Sequence, residues 1–320
     1  MTDQKPPLPD ATPLDAAARA AWLYYVAGKT QDQIAQELGI SRQRAQRLVS
    51  KAVAEGLIHV RLEHPVARCM ELEASLSDTF GLKRCRVALG LGAGADPIGA
   101  LAPVAAAELE RVLSASDPRV VAVGTGRTLR AMAEELRPML CPQHRIVSLN
   151  GNIAPDGSAS FFDVIMRIAD KVRAAHYPMP LPVIASSLEE RDLFFSLPPV
   201  HRAREIAQNA DVVLVGVGEM LEEPPLLKDG FLDREELDEM RAAGAIGEIA
   251  GWAYDSAGRY LTCGTNTRTA GVRVDPSDDR VTLGIAAGET KRAPLLAALR
   301  GRLINGMITD EETATALLNA

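Results

Sequence analysis

The residues that decide the fold of this chain are Val120-Val121-Ala122-Val123-Gly124-Thr125-Gly126-Arg127-Thr128-Leu129. The first four are apolar and three of them are valine, a composition typical of a strand buried on both faces of a parallel sheet. The Gly-Thr-Gly that follows predicts a tight turn. A helix is then predicted from Arg127 to Arg137, where Pro138 ends it. Strand, turn and helix in this order predict an α/β domain with a parallel sheet.

The loop between this strand and helix is a candidate anion site. Gly124 and Gly126 allow close approach to the backbone, and Thr125 and Thr128 add hydroxyl donors. The N–H groups at the start of the helix and the positive end of its dipole point to the same place, where phosphate is the natural occupant. The alternative is an ordinary strand-to-helix turn with glycine for a positive φ.

A dinucleotide is not the expected ligand of this loop. The dinucleotide fingerprint needs a third glycine at position 129, which is leucine here. The next predicted strand, Arg145 to Leu149, is followed by Asn150 and lacks the acidic residue that would bind a ribose. The sequence therefore predicts no NAD site, and it points to no other cofactor.

The composition is that of an ordinary globular protein, with 47% hydrophobic and 24% charged residues. The net charge of −7 means that any binding to nucleic acid must come from a local basic patch. The four cysteines, Cys69, Cys85, Cys141 and Cys263, form no C-x-x-C pair, which argues against structural zinc or disulfides. The first ten residues lack the apolar core of a signal peptide, and no apolar run has the length of a membrane helix. We expect a cytoplasmic protein without membrane contact.

The N-terminal part of the chain predicts three short helices. Residues 1–13 are rich in proline and polar residues and are expected to form a disordered tail. A first helix runs from Leu14 to Gly28. Thr30 and Gln33 have the spacing of a capping box at the start of the second helix, which ends at Gly39.

Ser41 is the expected cap of the third helix, Arg42 to Glu55. The turn between the second and third helices contains glycine, so the pair is typical of a helix-turn-helix. We place this DNA-binding domain at residues 14–64. Ala45 and Val49 lie on the predicted buried side of the third helix, together with Leu48 and Ala52.

The remaining face of the third helix is basic and amide-rich. Arginine and glutamine suit guanine and adenine edges in the major groove, whereas hydroxyls suit phosphates. The predicted DNA contacts are Thr30, Ser41, Arg42, Gln43, Arg44, Gln46, Arg47 and Lys51. The alternative is a solvated basic helix face, against which the preceding Thr-x-x-x-Ile-Ala-x-x-Leu-Gly-Ile-Ser pattern argues.

A small wing is predicted after the third helix, because residues 56–62 alternate like a strand. His59 and His64 fall on or beside it. We interpret both as surface residues of the wing and predict no metal site.

Four segments of this region resemble the DNA-binding head of the SorC family of bacterial sugar-responsive transcriptional regulators. They are Ala20-Ala21-Trp22-Leu23-Tyr24-Tyr25, Thr30-Gln31-Asp32-Gln33-Ile34-Ala35, Leu38-Gly39-Ile40-Ser41-Arg42 and Glu55-Gly56-Leu57-Ile58. The resemblance extends from about residue 14 to the end of the chain. It implies an effector domain similar to sugar-phosphate isomerases and deaminases.

Residues 65–80 are predicted to form a linker helix before an effector domain at 81–320. Val66, Cys69, Leu72, Leu76 and Phe80 form a narrow apolar stripe on it. The stripe either pairs with a second subunit or lies on its own effector domain.

The effector domain is predicted to have a Rossmann-like parallel sheet, because strands and helices alternate after Gly81. The expected strands are 86–89, 120–123, 145–149, 183–185 and 211–217, and the expected helices lie near 97–114, 127–137, 161–174 and 199–209. Ligands of such sheets bind beyond the carboxyl ends of the strands, where this sequence has several glycine loops.

The family resemblance assigns roles to these loops. It makes Gly124-Thr125-Gly126-Arg127-Thr128 a phosphate loop and Lys291 the cation that neutralises the effector phosphate. It makes Glu248 an acceptor for sugar hydroxyls and places Asn150-Gly151 along the carbon chain of the ligand. Many family members carry aspartate at the position of Glu248. We expect Glu248 and Trp252 to shape a pocket that is smaller or differently polar than a hexose phosphate needs.

Two functions follow from these residues. The first is a DNA-binding regulator of a carbohydrate or polyol catabolic operon, controlled by a phosphorylated sugar or sugar alcohol. The second is an isomerase or deaminase, with Glu248 or Glu219 as the base. The sequence favours the regulator, because no Asp-Asp pair or histidine occurs at the matching loops and an enzyme has no use for the basic helix. A single head buries little DNA surface, so we expect a homodimer or homotetramer.

Overall fold

A computed structural model describes residues 12–58, 67–92, 94–154, 157–158 and 164–320. The chain divides into two compact units, Met1–His64 and Pro65–Ala320. Most of the predicted disordered tail lies outside the described residues. Its last residue, Pro13, was wrongly assigned to the tail, because it is the first residue of a helix capped by Thr12.

The part of the first unit that the structure describes forms three helices: α1 (Pro13–Tyr25), α2 (Gln31–Leu38) and α3 (Arg42–Ala54). The capping box of α2 forms as predicted: the Gln33 N–H donates to Thr30 Oγ1 over 3.4 Å, and the Thr30 N–H donates to Gln33 Oε1 over 2.9 Å. Gly39 ends α2 in the left-handed conformation, with φ +63°. The apolar faces of the three helices share one small core, formed by Ala20, Leu23, Ile34, Ala35, Ala45 and Val49.

The predicted wing is described only in part. Leu57 and Ile58 follow α3 without forming a strand. The remaining wing residues, including His59 and His64, lie outside the described residues.

The described residues of the second unit form ten strands. They are β1 (Arg84–Ala88), β2 (Val120–Val123), β3 (Arg145–Ser148), β4 (Ala175–Tyr177), β5 (Val212–Gly216), β6 (Gly218–Glu219), β7 (Gly247–Ile249), β8 (Trp252–Tyr254), β9 (Val281–Ile285) and β10 (Gly306–Asp310). Seven form one sheet in the order β1-β10-β9-β5-β2-β3-β4, in which every neighbouring pair is parallel. The other three form a small antiparallel sheet in the order β6-β7-β8. The predicted parallel α/β fold is confirmed.

Helices cover the large sheet and complete the unit. They are α4 (Ala67–Phe80), α5 (Ile98–Leu113), α6 (Arg127–Glu135), α7 (Ile165–Val172), α8 (Leu188–Ser196), α9 (Pro198–Gln208), α10 (Pro225–Lys228), α11 (Arg234–Ala242), α12 (Arg292–Arg300) and α13 (Glu311–Leu318). No helix in the described part of the chain is both long and apolar enough to cross a bilayer.

The helix predicted as a separate linker belongs to the second unit. Cys69, Leu72 and Leu76 of α4 are buried in the same core as Cys85 and Val87 of β1. The carboxylate of Glu73 also accepts the Val87 N–H over 2.9 Å. The apolar stripe therefore packs on its own effector domain, which is one of the two predicted alternatives.

One predicted strand is wrong. Val183–Ala185 forms only an isolated bridge, between Ile184 and Thr269, and the edge of the sheet is β4 instead. Pro178, Pro180 and Pro182 explain the difference, because proline has no N–H to donate to a strand ladder.

The order of the strands creates a crevice at the carboxyl edge of the sheet. From β2 the chain continues outward to β3 and β4, whereas from β5 it continues to β9 and β10 on the other side. β2 and β5 are neighbours, so the loops that follow them diverge. Such a switch point is where ligands bind in open α/β sheets.

Candidate functional site

The basic face of α3 points away from the core of the first unit. Ala45, Val49 and Ala52 are buried, whereas the arginine and glutamine side chains predicted to contact DNA are exposed and Lys51 is half-buried. A shallow concavity follows this face and is lined by Gln43, Gln46, Arg47, Ser50, Lys51 and Ala54. Ser50 was not predicted, although its spacing from Gln46 and Lys51 places it on the same face.

Three details modify the predicted DNA contacts. The Thr30 hydroxyl donates to Gln33 Oε1 over 3.2 Å, so it is engaged within the capping box and is not free for a phosphate. Ser41 Oγ accepts the Arg44 N–H over 3.2 Å and keeps its own O–H for another partner. Arg42 Nε lies 3.5 Å from a carboxylate oxygen of Asp32, an acidic neighbour that the sequence analysis did not consider.

The second unit has a cavity of about 270 Å³ at the crevice between β2 and β5, which we call the effector cavity. Its lining comes from loops far apart in the chain. They include Gly124–Leu129 after β2, Asn150 after β3, Gly216–Gly218 after β5, Ile285–Ala287 after β9, and Glu248, Ala250, Gly251 and Lys291. The structure thus brings together every residue predicted to bind the effector except Gly151.

The loop after β2 has the geometry of an anion site. Gly126 adopts φ +124°, which favours glycine, and it directly precedes α6. Within the described residues, no side chain makes a capping hydrogen bond to α6, so its first N–H groups can donate to a ligand. Thr125 and Thr128 also line the cavity.

Lys291 reaches this cavity from a short 3-10 turn that follows Gly288, where φ is +108°. Its ammonium group has no carboxylate within 4.0 Å in the described ranges of the chain. Burial lowers the pKa of Lys291; the carboxylates of Glu219 and Glu248 oppose this shift, and Arg127 adds to it. A half-buried cation without a paired carboxylate is well suited to an anionic ligand.

Arg127 lies at the cavity with its guanidinium held by Asp229. Arg127 Nη2 and Nη1 lie 2.7 and 3.3 Å from the two carboxylate oxygens of Asp229. This pair offsets much of the charge of Arg127, which leaves Lys291 as the better counterion for a ligand. Asp229 belongs to a segment for which the sequence carried no signal.

Glu248 and Asn150 supply oxygen acceptors to the cavity. One carboxylate oxygen of Glu248 accepts the Gly251 N–H over 2.8 Å, and burial raises the pKa of Glu248. A Cβ atom on Gly218 would lie 1.9 Å from Glu248 Oε1, so this contact requires glycine. Asn150 is 3% exposed, and its Oδ1 has no hydrogen-bond partner in the described structure. A ligand hydroxyl can donate to each of these oxygens.

Three residues that the sequence analysis associated with the pocket do not line it. A Cβ on Gly151 would lie 2.1 Å from the Leu181 carbonyl oxygen, so this glycine is needed for packing. The Trp252 indole N–H donates to the Gly271 carbonyl over 3.1 Å outside the cavity, so the expectation that Trp252 shapes the pocket is wrong. Glu219 is buried and accepts the Leu221 N–H over 2.8 Å.

Several lining residues were missed by sequence reasoning. Asp96, Pro97 and Ile98 line the cavity from the start of α5. Their position after the first strand of a parallel sheet was a usable signal. Leu226 and Phe231 belong to an excursion between β6 and β7 that no pattern placed at the sheet edge.

The described residues contain no cluster of three or more histidine, cysteine or acidic side chains able to hold a metal ion. Cys69, Cys85 and Cys141 are buried, and burial raises the pKa of the Cys85 thiol to about 12. The groups at the site can hold an anion through the Gly124–Thr128 loop and Lys291, and the oxygens of Asn150 and Glu248 can accept hydrogen bonds from hydroxyls.

Comparison with known proteins assigns both units. Residues 64–319 match the Sugar-bind family of sugar-binding domains, and residues 20–68 match the MarR family. The chain is 33% identical to the erythritol catabolism regulatory protein EryD of Brucella abortus, over 94% of this chain and 96% of that protein. It is 31% identical to the transcriptional regulator LsrR of an Enterobacter species, over 95% of this chain and 93% of that protein.

A solved structure gives the same result. The full-length sorbitol operon regulator SorC of Klebsiella pneumoniae matches with a TM-score of 0.70 and 26% identity, over 94% of this chain and 97% of that one. These relatives are regulators and match over almost their whole lengths. The chain is therefore a transcriptional regulator and not an isomerase or deaminase, and it belongs to the SorC family of sugar-responsive bacterial regulators.

Proposed function

We propose that this protein binds operator DNA through α3 and that a phosphorylated sugar or sugar alcohol in the effector cavity controls this binding. The observation that carries the proposal is the meeting of Lys291 with the Gly124–Thr128 loop at one cavity. Neither element alone requires phosphate. The loop supplies N–H donors, and the half-buried lysine beside it supplies the counter-charge.

The volume of the effector cavity also favours a small ligand. Ligand pockets commonly measure about 300–1,000 Å³, and this one measures about 270 Å³. A short polyol phosphate fits such a volume better than a larger ligand. EryD is named for erythritol catabolism, so a four-carbon polyol phosphate is our first candidate.

Different lining residues recognise different parts of this ligand. The phosphate lies against the loop and Lys291, while Asn150 Oδ1 and the Glu248 carboxylate accept hydrogen bonds from hydroxyls. Two acceptors select for a ligand with neighbouring hydroxyls. A purely apolar ligand would leave both oxygens unpaired.

On DNA, the exposed arginine and glutamine side chains of α3 read bases and Lys51 contacts phosphate. Two heads are needed to read two half-sites, so we propose that the protein acts as a dimer or tetramer in the cytoplasm.

A thermal-shift screen of matched sugars and polyols with their phosphate esters tests the effector proposal. We expect erythritol monophosphate, or another short-chain ester, to raise the Tm more than the parent polyol at the same concentration. The Lys291→Ala variant should lose this difference. Equal shifts from each ester and its parent would contradict the phosphate site.

A further inference from the structure

A second cavity lies in the second unit, which we call the arginine cavity. It measures about 520 Å³ and shares no lining residue with the effector cavity. Four arginines and two aromatic rings dominate its walls: Arg191, Phe195, Arg204, Trp252, Arg273 and Arg280. Nothing in the proposed function uses this concentration of positive charge.

The positive charge of the arginine cavity is only half neutralised. Arg191 pairs with Asp192 at 2.8 Å, and Arg273 pairs with Asp275 at 2.7 Å. Arg204 and Arg280 have no carboxylate within 4.0 Å over the stretches of chain that the structure describes. This excess stands out in a protein whose net charge is −7.

Arg204 is fixed in place by the surrounding structure. Its guanidinium carbon lies 3.6 Å from the centre of the Phe195 ring, and Nη1 donates to the Ala270 carbonyl over 3.1 Å. Burial, with a smaller contribution from the nearby Arg191, lowers the pKa of Arg204. A desolvated, fixed guanidinium without a carboxylate partner is a preorganised binding group for an anion.

Arg280 is held in a similar way but keeps an unused donor. Its Nη1 and Nη2 donate to the carbonyls of Gln208 and Asp275 over 3.0 and 3.2 Å. Its Nε is buried and has no partner within the described structure. Buried donors are nearly always satisfied, so an unpaired one beside a cavity indicates a missing acceptor.

We propose that the arginine cavity is a second ligand site, which binds a small, multiply charged anion of the phosphate or carboxylate class. More than one negative charge is needed, because two guanidiniums lack a carboxylate and two more line the same walls. The forked donors of arginine match the oxygens of both classes. Pyrophosphate and citrate represent the two classes.

The arginine cavity and the effector cavity share a backbone segment. The Gly271 carbonyl accepts from the Trp252 indole over 3.1 Å and from Arg204 over 3.5 Å. On the other side, a Cβ on Gly271 would lie 2.8 Å from the carbonyl oxygen of Ala250, which lines the effector cavity. Gly271 therefore lies between a fixed guanidinium of the arginine cavity and a residue that lines the effector cavity.

Calorimetric titration of the full chain with pyrophosphate and with citrate tests the proposal. The variants are Arg204→Gln with Arg280→Gln, the half-exposed Arg273→Gln, Lys291→Ala at the effector cavity, and Arg300→Gln as an exposed control. Circular dichroism and operator binding report whether each variant folds. We expect at least tenfold weaker binding of one or both anions in the double variant, a smaller loss in Arg273→Gln and unchanged binding in Arg300→Gln. Lys291→Ala should keep the binding that the double variant loses.

Three results would overturn the proposal. The first is the absence of saturable binding of either anion to the wild-type chain. The second is binding that Lys291→Ala abolishes and the arginine variants keep, because the anion would then occupy the effector cavity. The third is a fall in the mass measured by light scattering in Arg273→Gln or the double variant without any change in anion binding, which would make the arginine cavity a contact between copies of this chain.

Discussion

Asn150 lines the effector cavity, and its buried Oδ1 has no donor in the described structure. An unpaired buried acceptor destabilises the free protein by about 1–3 kcal/mol, and a ligand hydroxyl that donates to it recovers this energy. The side chain therefore favours the occupied state of the cavity. We therefore expect the unpaired oxygen of Asn150 to increase the affinity for a hydroxylated effector.

The Asn150→Ala variant should separate these two effects. We expect about tenfold weaker binding of the effector, together with a free energy of unfolding that does not fall, since the lost oxygen made no hydrogen bond. Calorimetry measures the first quantity and urea denaturation the second. Thr309→Val is the matched control, because Thr309 Oγ1 is also buried and unpartnered but lies outside the effector cavity. Equal effector affinities in the two variants would show that Asn150 makes no contact with the ligand.

Lys291 predicts how effector binding depends on pH. Its pKa is lowered chiefly by burial, so the ammonium group loses its proton at a lower pH than an ordinary lysine. The charged form binds phosphate, and affinity for the ester should therefore fall as pH rises through this lowered pKa. The measurement is the Kd of the phosphate ester between pH 7 and pH 10.

Lys291→Arg supplies the control for this profile, because arginine keeps its charge over the whole range. Its affinity should stay constant where that of the wild type falls. Affinity for the parent polyol should not show the alkaline fall in either protein. A wild-type profile as flat as that of Lys291→Arg would remove Lys291 from the phosphate contact.

At the scale of elements, α3 is expected to read DNA through the concavity along its exposed face. Gln43→Ala or Arg47→Ala should cost about 1–3 kcal/mol on the specific operator and relax its base preference, whereas Lys51→Ala should weaken all sequences alike. Arg42→Ala should cost less than Arg47→Ala, because Asp32 already lies 3.5 Å from Arg42. Fluorescence anisotropy with operator and scrambled DNA measures these differences.

Arg300→Ala is the control for net charge, since this exposed arginine ends α12 in the other unit. It should leave operator affinity unchanged. If Arg47→Ala and Lys51→Ala weakened specific and scrambled DNA by the same factor, α3 would contact only the phosphate backbone.

The elements that the sequence predicted well are those whose own residues show a clear pattern. The four apolar residues before Gly124 predicted β2 with its observed bounds, and Thr30 with Gln33 predicted the start of α2. Glycines at the ends of strands also predicted the loops around the effector cavity. In each case the information lies within a few residues of the element.

The elements that the sequence missed depend on distant partners. The apolar stripe of α4, formed by Cys69, Leu72 and Leu76, packs on its own domain because β1 and α13 lie against it. The sequence of α4 alone does not distinguish this packing from contact with a second subunit. Arg127 has the position of a phosphate ligand, yet Asp229 on a remote segment holds its guanidinium. Such tertiary contacts leave no periodic pattern in the sequence.

At the scale of the whole molecule, we expect an oligomer, because a symmetric operator needs two heads to read its half-sites. Light scattering at micromolar concentration should give the mass of a dimer or tetramer, both with and without DNA. A strictly monomeric species under both conditions would contradict this expectation.

The central claim is that the effector cavity controls operator binding through recognition of a phosphate by Lys291. The most direct test titrates operator-bound wild-type and Lys291→Ala protein with the phosphate ester found in the thermal-shift screen and with its parent polyol, and follows operator release or tightening by anisotropy. A charge-assisted contact contributes about 1.5–3 kcal/mol, which is a roughly ten- to hundredfold difference in affinity. We predict that the wild type responds to the ester at a concentration roughly ten- to hundredfold lower than the concentration of polyol that it needs. Lys291→Ala should bind the operator normally and lose this preference. Equal responses of the wild type to both ligands, or an unchanged preference in Lys291→Ala, would contradict the account.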